Sequence, residues 1–188
     1  MSPGTRPPGP PPLRPFGLVL HHDGRFSHEG EPIRHPGLRR HFENHVAWLP
    51  EAGVYVVFLG RFRGMVEVEE AAFFVREVDL RRGTLRLRGG SEEALRPETL
   101  ALSPRDGALL CRIRPELAPL EGGLLARFDR GPQAELLAAV EEHPGGLVLP
   151  IGPPEALRHL PFPELLPLEP LSAAGPVPGR GAGNPGSG

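Results

Sequence analysis

The sequence predicts an α+β fold: mostly antiparallel sheets with two helices, arranged as two repeated strand-helix-strand halves in one compact unit. Three observations carry that reading. Short apolar runs of strand length are separated by turn signals at Asp23-Gly24, Arg81-Arg82-Gly83 and Ser103-Pro104-Arg105-Asp106-Gly107. Two stretches with apolar residues at helical spacing each open near a proline, Pro36 and Pro132. Each half then repeats one order of elements, strands, a Pro-opened helix and a strand, with little sequence identity between the copies.

The elements follow in chain order. Phe16 to Glu29 reads as a hairpin on the two-residue turn Asp23-Gly24, pairing His22 with Arg25, His21 with Phe26, Leu20 with Ser27 and Val19 with His28. That register puts His21, Phe26, Val19 and His28 on one face. A helix starts with His35 near its N-cap and Pro36 just inside, and runs to about Leu49. Leu38, Phe42, His45, Val46 and Leu49 form its expected buried stripe, with His41 and Trp48 along one edge and Arg39, Arg40, Glu43 and Asn44 in water. Val54 to Leu59 is a continuous apolar run suited to a central strand, and Met65 to Glu69 alternates as a half-buried one. A second hairpin spans Ala72 to Arg88, where pairing Leu80 with Leu85 sets Val78 against Leu87, Asp79 against Arg86 and Glu77 against Arg88. Strands Thr99–Leu102, Ala108–Arg114 and Leu124–Phe128 come next, then the Pro132 helix carrying Leu136, Leu137 and Val140, then the strand Leu147–Ile151 after Gly145-Gly146.

Proline and glycine, 26 and 25 of the 188 residues, are concentrated at the two ends. A segment such as Gly175 to Gly188 has little apolar surface to set against the roughly 1–2 kcal/mol per residue that backbone ordering costs. The expected organisation is a disordered Pro-rich tail over 1–15, an α+β domain over 16–152 with halves at about 16–80 and 81–152, and a largely disordered tail over 153–188.

Composition excludes several chemistries. The formal charge is −2 and all 21 basic residues are arginine, so a Walker A phosphate loop, a Schiff-base lysine and a Ser–Lys nucleophile pair are impossible. The single cysteine, Cys111, rules out an intramolecular disulfide and falls among inward-pointing strand positions, where a thiol is inert. No serine sits in a Gly-x-Ser-x-Gly elbow, and the Gly pairs read as turns. Near-neutral charge and scarce aromatics argue against a nucleic-acid groove. No apolar run reaches the length of a bilayer crossing and the N-terminus lacks the layout of a secretory signal, so a cytoplasmic protein without membrane contact is expected.

Six of the eight histidines lie between His21 and His45, which invites a metal site. Such a site needs three or four converging ligands, and His41 and His45 could join His21 and His28 only if the helix packed on the same hairpin face. The simpler reading is that these imidazoles are satisfied by hydrogen bonds. His28 and Glu29 are neighbours on a strand and point to opposite faces, unless Gly30 marks a bulge. Glu67, Glu69 and Glu70 could line a polar cleft, although a solvated sheet face explains them as well. No catalytic residue, metal or cofactor is expected from these patterns.

Two stretches, Asp23-Gly24-Arg25-Phe26-Ser27-His28-Glu29-Gly30-Glu31-Pro32-Ile33 and Val66-Glu67-Val68-Glu69-Glu70-Ala71-Ala72-Phe73, together resemble an uncharacterised bacterial family, domain of unknown function 1285. Gly122-Gly123-Leu124 and Arg130 resemble its later segment, so the likeness covers about Phe16 to Gly152. It implies an α+β fold with repeated motifs, a role in signalling or ligand binding, and no established activity. The expectation is a non-catalytic binding or regulatory module, with a groove between the halves that takes a small molecule or a protein partner. Its candidate ligand-binding residues are His28, Glu29, Glu67, Glu69 and Arg130. The rival expectation is a metal-dependent hydrolase using His21, His28 and a helix histidine, with Glu29 or Glu67 as base.

Overall fold

A computed structural model of the protein describes residues 13–60, 62–117 and 122–169; the outer stretches 1–12 and 170–188, which hold most of the expected tails, lie outside the described residues. Strands β1 (Leu13–Leu20), β2 (Phe26–His28), β3 (Glu31–Pro32), β4 (Val46–Leu49), β5 (Val54–Leu59) and β6 (Phe62–Val68) form a first sheet in the order β3-β2-β1-β6-β5-β4, with helix α1 (Pro36–His45) between β3 and β4. Strands β7 (Phe73–Asp79), β8 (Thr84–Leu87), β9 (Glu92–Ala94), β10 (Ala101–Leu102), β11 (Leu109–Ile113) and β12 (Leu124–Phe128) form a second sheet in the order β10-β11-β12-β7-β8-β9. Each sheet is two antiparallel three-stranded meanders joined by one parallel pair. In both, the first strand of the leading meander lies beside the last strand of the following one, β1 with β6 and β7 with β12. The expected repeat is therefore present as a repeat of topology. Its division falls at residues 69–72, ahead of the expected 80, because β7 belongs to the second sheet.

Helix α2 (Arg130–Ala138) leads to a small third sheet of β13 (Glu141–His143), β14 (Gly146–Ile151) and β15 (Arg158–Pro161), with β14 in the middle. Structure thus continues past residue 152. Gly152 N–H donates to the Leu80 carbonyl at 2.9 Å, and Leu102 pairs with the backbone of residues 166–168. Helix α2 begins at Arg130, two residues before the expected start, and Pro132 is buried in its first turn.

Hydrophobic pattern overrides local turn preference in the first hairpin. The observed pairs are Leu20 with Phe26, Val19 with Ser27 and Leu18 with His28, one residue out of step with the expected register. His22-Asp23-Gly24 form a three-residue loop closed by His21 N–H to the Arg25 carbonyl, with Gly24 at φ 84° in the left-handed region that glycine tolerates. A one-residue slip exchanges the faces of a strand. The observed register collects Leu18, Leu20 and Phe26, each at most 2% exposed, on a single face, where the expected one would have separated Phe26 from both leucines. It also puts His21 on the face of Val19 and Ser27, opposite to His28.

The second hairpin slips by two. Val78 pairs with Leu85, Glu77 with Arg86 and Asp79 with Thr84, and a bulge between Val75 and Glu77 follows. A slip of two keeps every side chain on its face, so Val78, Leu85 and Leu87 are buried as expected, and past the bulge Val75 joins them opposite Leu87. Glu77 faces Arg86 at 3.5 Å, while Arg88 goes elsewhere.

Helix α1 starts as expected, with His35 Nδ1 accepting the Leu38 N–H at 3.2 Å and Pro36 in the first turn. It ends early, at His45. Val46 is extended (φ −66°, ψ 129°), and Val46–Leu49 pairs with Val54–Leu59 around a turn at residues 50–53. Phe42 alone of the helix is buried, against Phe26 at 5.5 Å, while Leu38 and His45 are exposed. Val46, Ala47, Trp48 and Leu49 favour a strand because β-branched and aromatic side chains pack better on a pleated surface than against a preceding helical turn.

One apolar core runs through both large sheets and takes in Leu136 of α2 and Leu149 and Ile151 of β14. Cys111 lies within it, and burial pushes its thiol up to about 12. At the sheet junction Arg127 of β12, 7% exposed, donates to Glu70 at 2.7 Å and to Asp106. Ser103 Oγ donates to the other Glu70 oxygen at 2.6 Å. The hydrogen bond from Arg127 holds the Asp106 carboxyl below its ordinary range against the opposing effect of burial. Burial works against the Arg127 charge, but the bonds to Asp106 and Glu70 outweigh it and raise the guanidinium pKa. Removing one partner of a buried ion pair leaves an uncompensated charge, so Arg127→Ala is expected to lower stability by about 3–5 kcal/mol. Arg82→Ala, which cuts the exposed pair with Glu92, is expected to lower it by at most about 1 kcal/mol, and urea unfolding of both variants checks the contrast.

Candidate functional site

A cavity of about 710 Å³ lies between the two large sheets. Its first-sheet wall comes from a cross-strand row: Trp48 of β4 pairs with Tyr55 of β5, Tyr55 with Val66 of β6, and Val66 with Leu18 of β1. Directly paired residues share a sheet face, so the row presents one surface. Arg112 of β11 and Leu124 and Leu125 of β12 line the cavity from the second sheet, and Phe16 and Met65 complete an apolar surround. The volume falls in the range of small-molecule sites, which are concave and apolar with a few polar groups.

Besides the carboxylates Glu67 and Glu70, three further polar groups stand in this lining. The Trp48 indole N–H is buried and has no hydrogen-bond partner among the described residues. Tyr55 packs edge-on against Trp48 at 4.9 Å, and burial pushes its phenol up to about 12 although the positive charge of Arg112 pulls the other way. Arg112 donates through Nη1 to the Gly123 carbonyl at 3.1 Å, and among the described residues it has no ion-pair partner. Gly123 is at φ 118°, and a Cβ there would sit 2.3 Å from the Ile113 carbonyl oxygen, so only glycine allows this approach of backbone to β11.

Of the candidates named from sequence, Glu67 is an exposed residue of the cavity lining, and His28 stands at the end of the wall-forming row, paired with Leu18 and with its ring 5.1 Å from Phe16. The other three are placed elsewhere. Glu29 is exposed at φ 50° in the turn between β2 and β3, where Gly30 at φ 86° supplies the turn conformation, so His28 and Glu29 part as the strand ends. Arg130 is exposed at the start of α2, in a depression shared with Arg88, Asp106 and Asp129.

Glu69 clamps the first hairpin loop. Its oxygens bond to His21 Nδ1 at 2.8 Å, His22 N–H at 3.0 Å and His22 Nδ1 at 3.2 Å, while His21 Nε2 meets Ser27 Oγ at 2.9 Å. The backbone N–H of His22, helped by both imidazoles against burial, draws the Glu69 carboxyl down to about 2. His41 and His45 stack on each other at 4.1 Å, and each bonds to a backbone carbonyl. Among the described residues no histidine between His21 and His45 joins a set of three donor side chains with ligand atoms within 4.8 Å of one another. The histidine centre of a hydrolase is therefore not assembled, because the register puts His21 and His28 on opposite faces.

Sequence reasoning missed Trp48, Tyr55 and Arg112. Trp48 had been assigned to the helix, and the signal that moves it to a strand is Pro50-Glu51-Ala52-Gly53, a turn ahead of Val54.

The fold and cavity define the class: an α+β protein of two topologically equivalent sheets enclosing an inter-sheet cleft. No family model and no curated protein matches the chain. Its fold is similar to the crystal structure of a DUF1285 family protein from Silicibacter pomeroyi DSS-3, at TM-score 0.53 and 20% identity, over 74% of this chain and 78% of that one. A DUF1285 family protein from Shewanella baltica OS155 aligns at TM-score 0.41 and 15% identity, over 65% of this chain and 91% of that one. The family resemblance read from Asp23–Ile33 and Val66–Phe73 thus agrees with a likeness of fold to a solved structure of that uncharacterised family. No helix among the described residues is long and apolar enough to cross a membrane.

Because Glu69 is held at about 2, well below its ordinary 4.5, the folded state resists its protonation. Its contribution to stability is whole above about pH 4.5 and is lost as the pH falls towards 2. Glu69→Gln is expected to be less stable than wild type near neutrality and to show a shallower loss of stability between about pH 5 and about pH 3, read from urea midpoints.

Proposed function

We propose that the protein is a non-catalytic binding module whose inter-sheet cleft takes a small, largely apolar ligand with an anionic head group, and that occupancy serves a regulatory or signalling role. The observation that carries this reading is the cavity of about 710 Å³ with an unpartnered buried Trp48 N–H and an Arg112 charge lacking a carboxylate partner among the described residues. Buried donors without acceptors are costly, and a ligand carboxylate would supply acceptors for both. The apolar row from Trp48 to Leu18 would cover the ligand body. Arrangement favours binding over chemistry, since among the described residues no nucleophile and base stand paired at this cleft.

Trp48 is the sole tryptophan of the chain, so its fluorescence reports on the cleft directly. Decanoate is expected to shift Trp48 emission saturably, and decanol to do so more weakly. Arg112→Gln is expected to weaken decanoate binding by about tenfold or more, as loss of a charge-assisted hydrogen bond does, and to leave decanol unchanged. A flat titration of the full chain with decanoate, or a response that Arg112→Gln does not alter, would overturn the proposal.

A further inference from the structure

The two histidines outside the N-terminal group, His143 and His159, meet on the third sheet. His143 and Glu141 are two apart on β13 and so share a face, and β14 separates them from His159 on β15. His143 pairs with Gly146, where the absence of a Cβ leaves open space between the flanking strands. The imidazole rings lie 5.0 Å apart, His159 Nε2 is 3.9 Å from a Glu141 oxygen, and one ligand atom from each of the three residues falls within 4.8 Å of the others.

Hydrogen bonding does not account for this convergence. None of the three side chains bonds to another described residue, and the separation of His159 from Glu141 exceeds hydrogen-bond range. We infer that Glu141, His143 and His159 form a site for a divalent transition-metal ion of the zinc, nickel or copper kind. Metal–ligand bonds of about 2.0–2.2 Å place tetrahedral ligand atoms roughly 3.4 Å apart, a closing movement within reach of exposed side chains. Two imidazoles are borderline ligands that, beside one hard carboxylate, favour these ions over calcium or magnesium, whose shells are built of oxygen. Three protein ligands leave a coordination position open to water. The bound ion would tie β13 to β15 across β14, the strand that anchors this sheet to the core through Leu149 and Ile151.

The test is calorimetric titration of the full, untagged chain with zinc. One equivalent is expected, with His143→Ala and His159→Ala each lowering affinity by at least about tenfold, no less than the loss of an outer-shell partner costs. A His41→Ala/His45→Ala variant is expected to bind as wild type does. All three ligands are exposed, so the variants should fold; in addition, zinc should raise the melting temperature of the wild type and of neither single-histidine variant. Copper loading gives an independent readout, with nitrogen hyperfine structure from two imidazoles in the wild type and from one in each variant. Absence of saturable zinc binding, or binding undiminished in both single-histidine variants, would refute the site. Neither result bears on the cleft, since none of the three residues lines it.

Discussion

The architecture depends on two adjacent carboxylates at the crossing from one sheet to the other. Neighbouring side chains in extended chain point opposite ways. Glu69 accordingly turns back to hold the His21–His22 loop of the first sheet, while Glu70 turns forward to Arg127 of β12 and Ser103 of the turn before β11. A buried guanidinium is tolerated only when its charge and donors are met, and Glu70 with Asp106 meets them. The crossing is thereby fastened to each sheet, which with the shared apolar core sets their relative placement.

The cleft follows from that placement. Its wall from Trp48 to Leu18 belongs to the first sheet and its Arg112 to the second, so neither sheet makes the cavity alone. Glu70 contributes to the lining as well, which makes the junction and the binding surface parts of one structure. Equivalent topology in the two sheets does not make their roles equivalent: the first supplies the aromatic surface and Glu67, the second supplies Arg112.

Much of the fold was legible because it rests on period and punctuation. Strands β5, β11 and β12 were recognisable from apolar runs and alternation, and the start of α1 from His35-Pro36, since these signals are local. The failures have local signals too, but stronger distant demands. Asp23-Gly24 suits a two-residue turn, yet burial of Leu18, Leu20 and Phe26 together requires a three-residue one. Apolar spacing carried the helix on to Leu49, yet Val46–Leu49 gains more as an edge strand beside β5. In the candidate site, Glu67 was named from the sequence and lies in the cleft lining, whereas Trp48, Tyr55 and Arg112 come to line one cleft only through pairing of β4, β5, β6 and β11 into separate sheets.

By itself, the sequence determined the α+β class, the existence of a repeat, the inward-facing Cys111 and the exclusion of lysine-dependent and disulfide chemistry, because composition and periodicity act within a few residues. Tertiary structure alone decided the two parallel pairs, the hairpin registers, the early end of α1 and the placing of Trp48 and Arg112 in the lining of one cleft. Each of those depends on which apolar faces are buried against one another, and that free energy is a property of the assembled core, with no local segment able to express it.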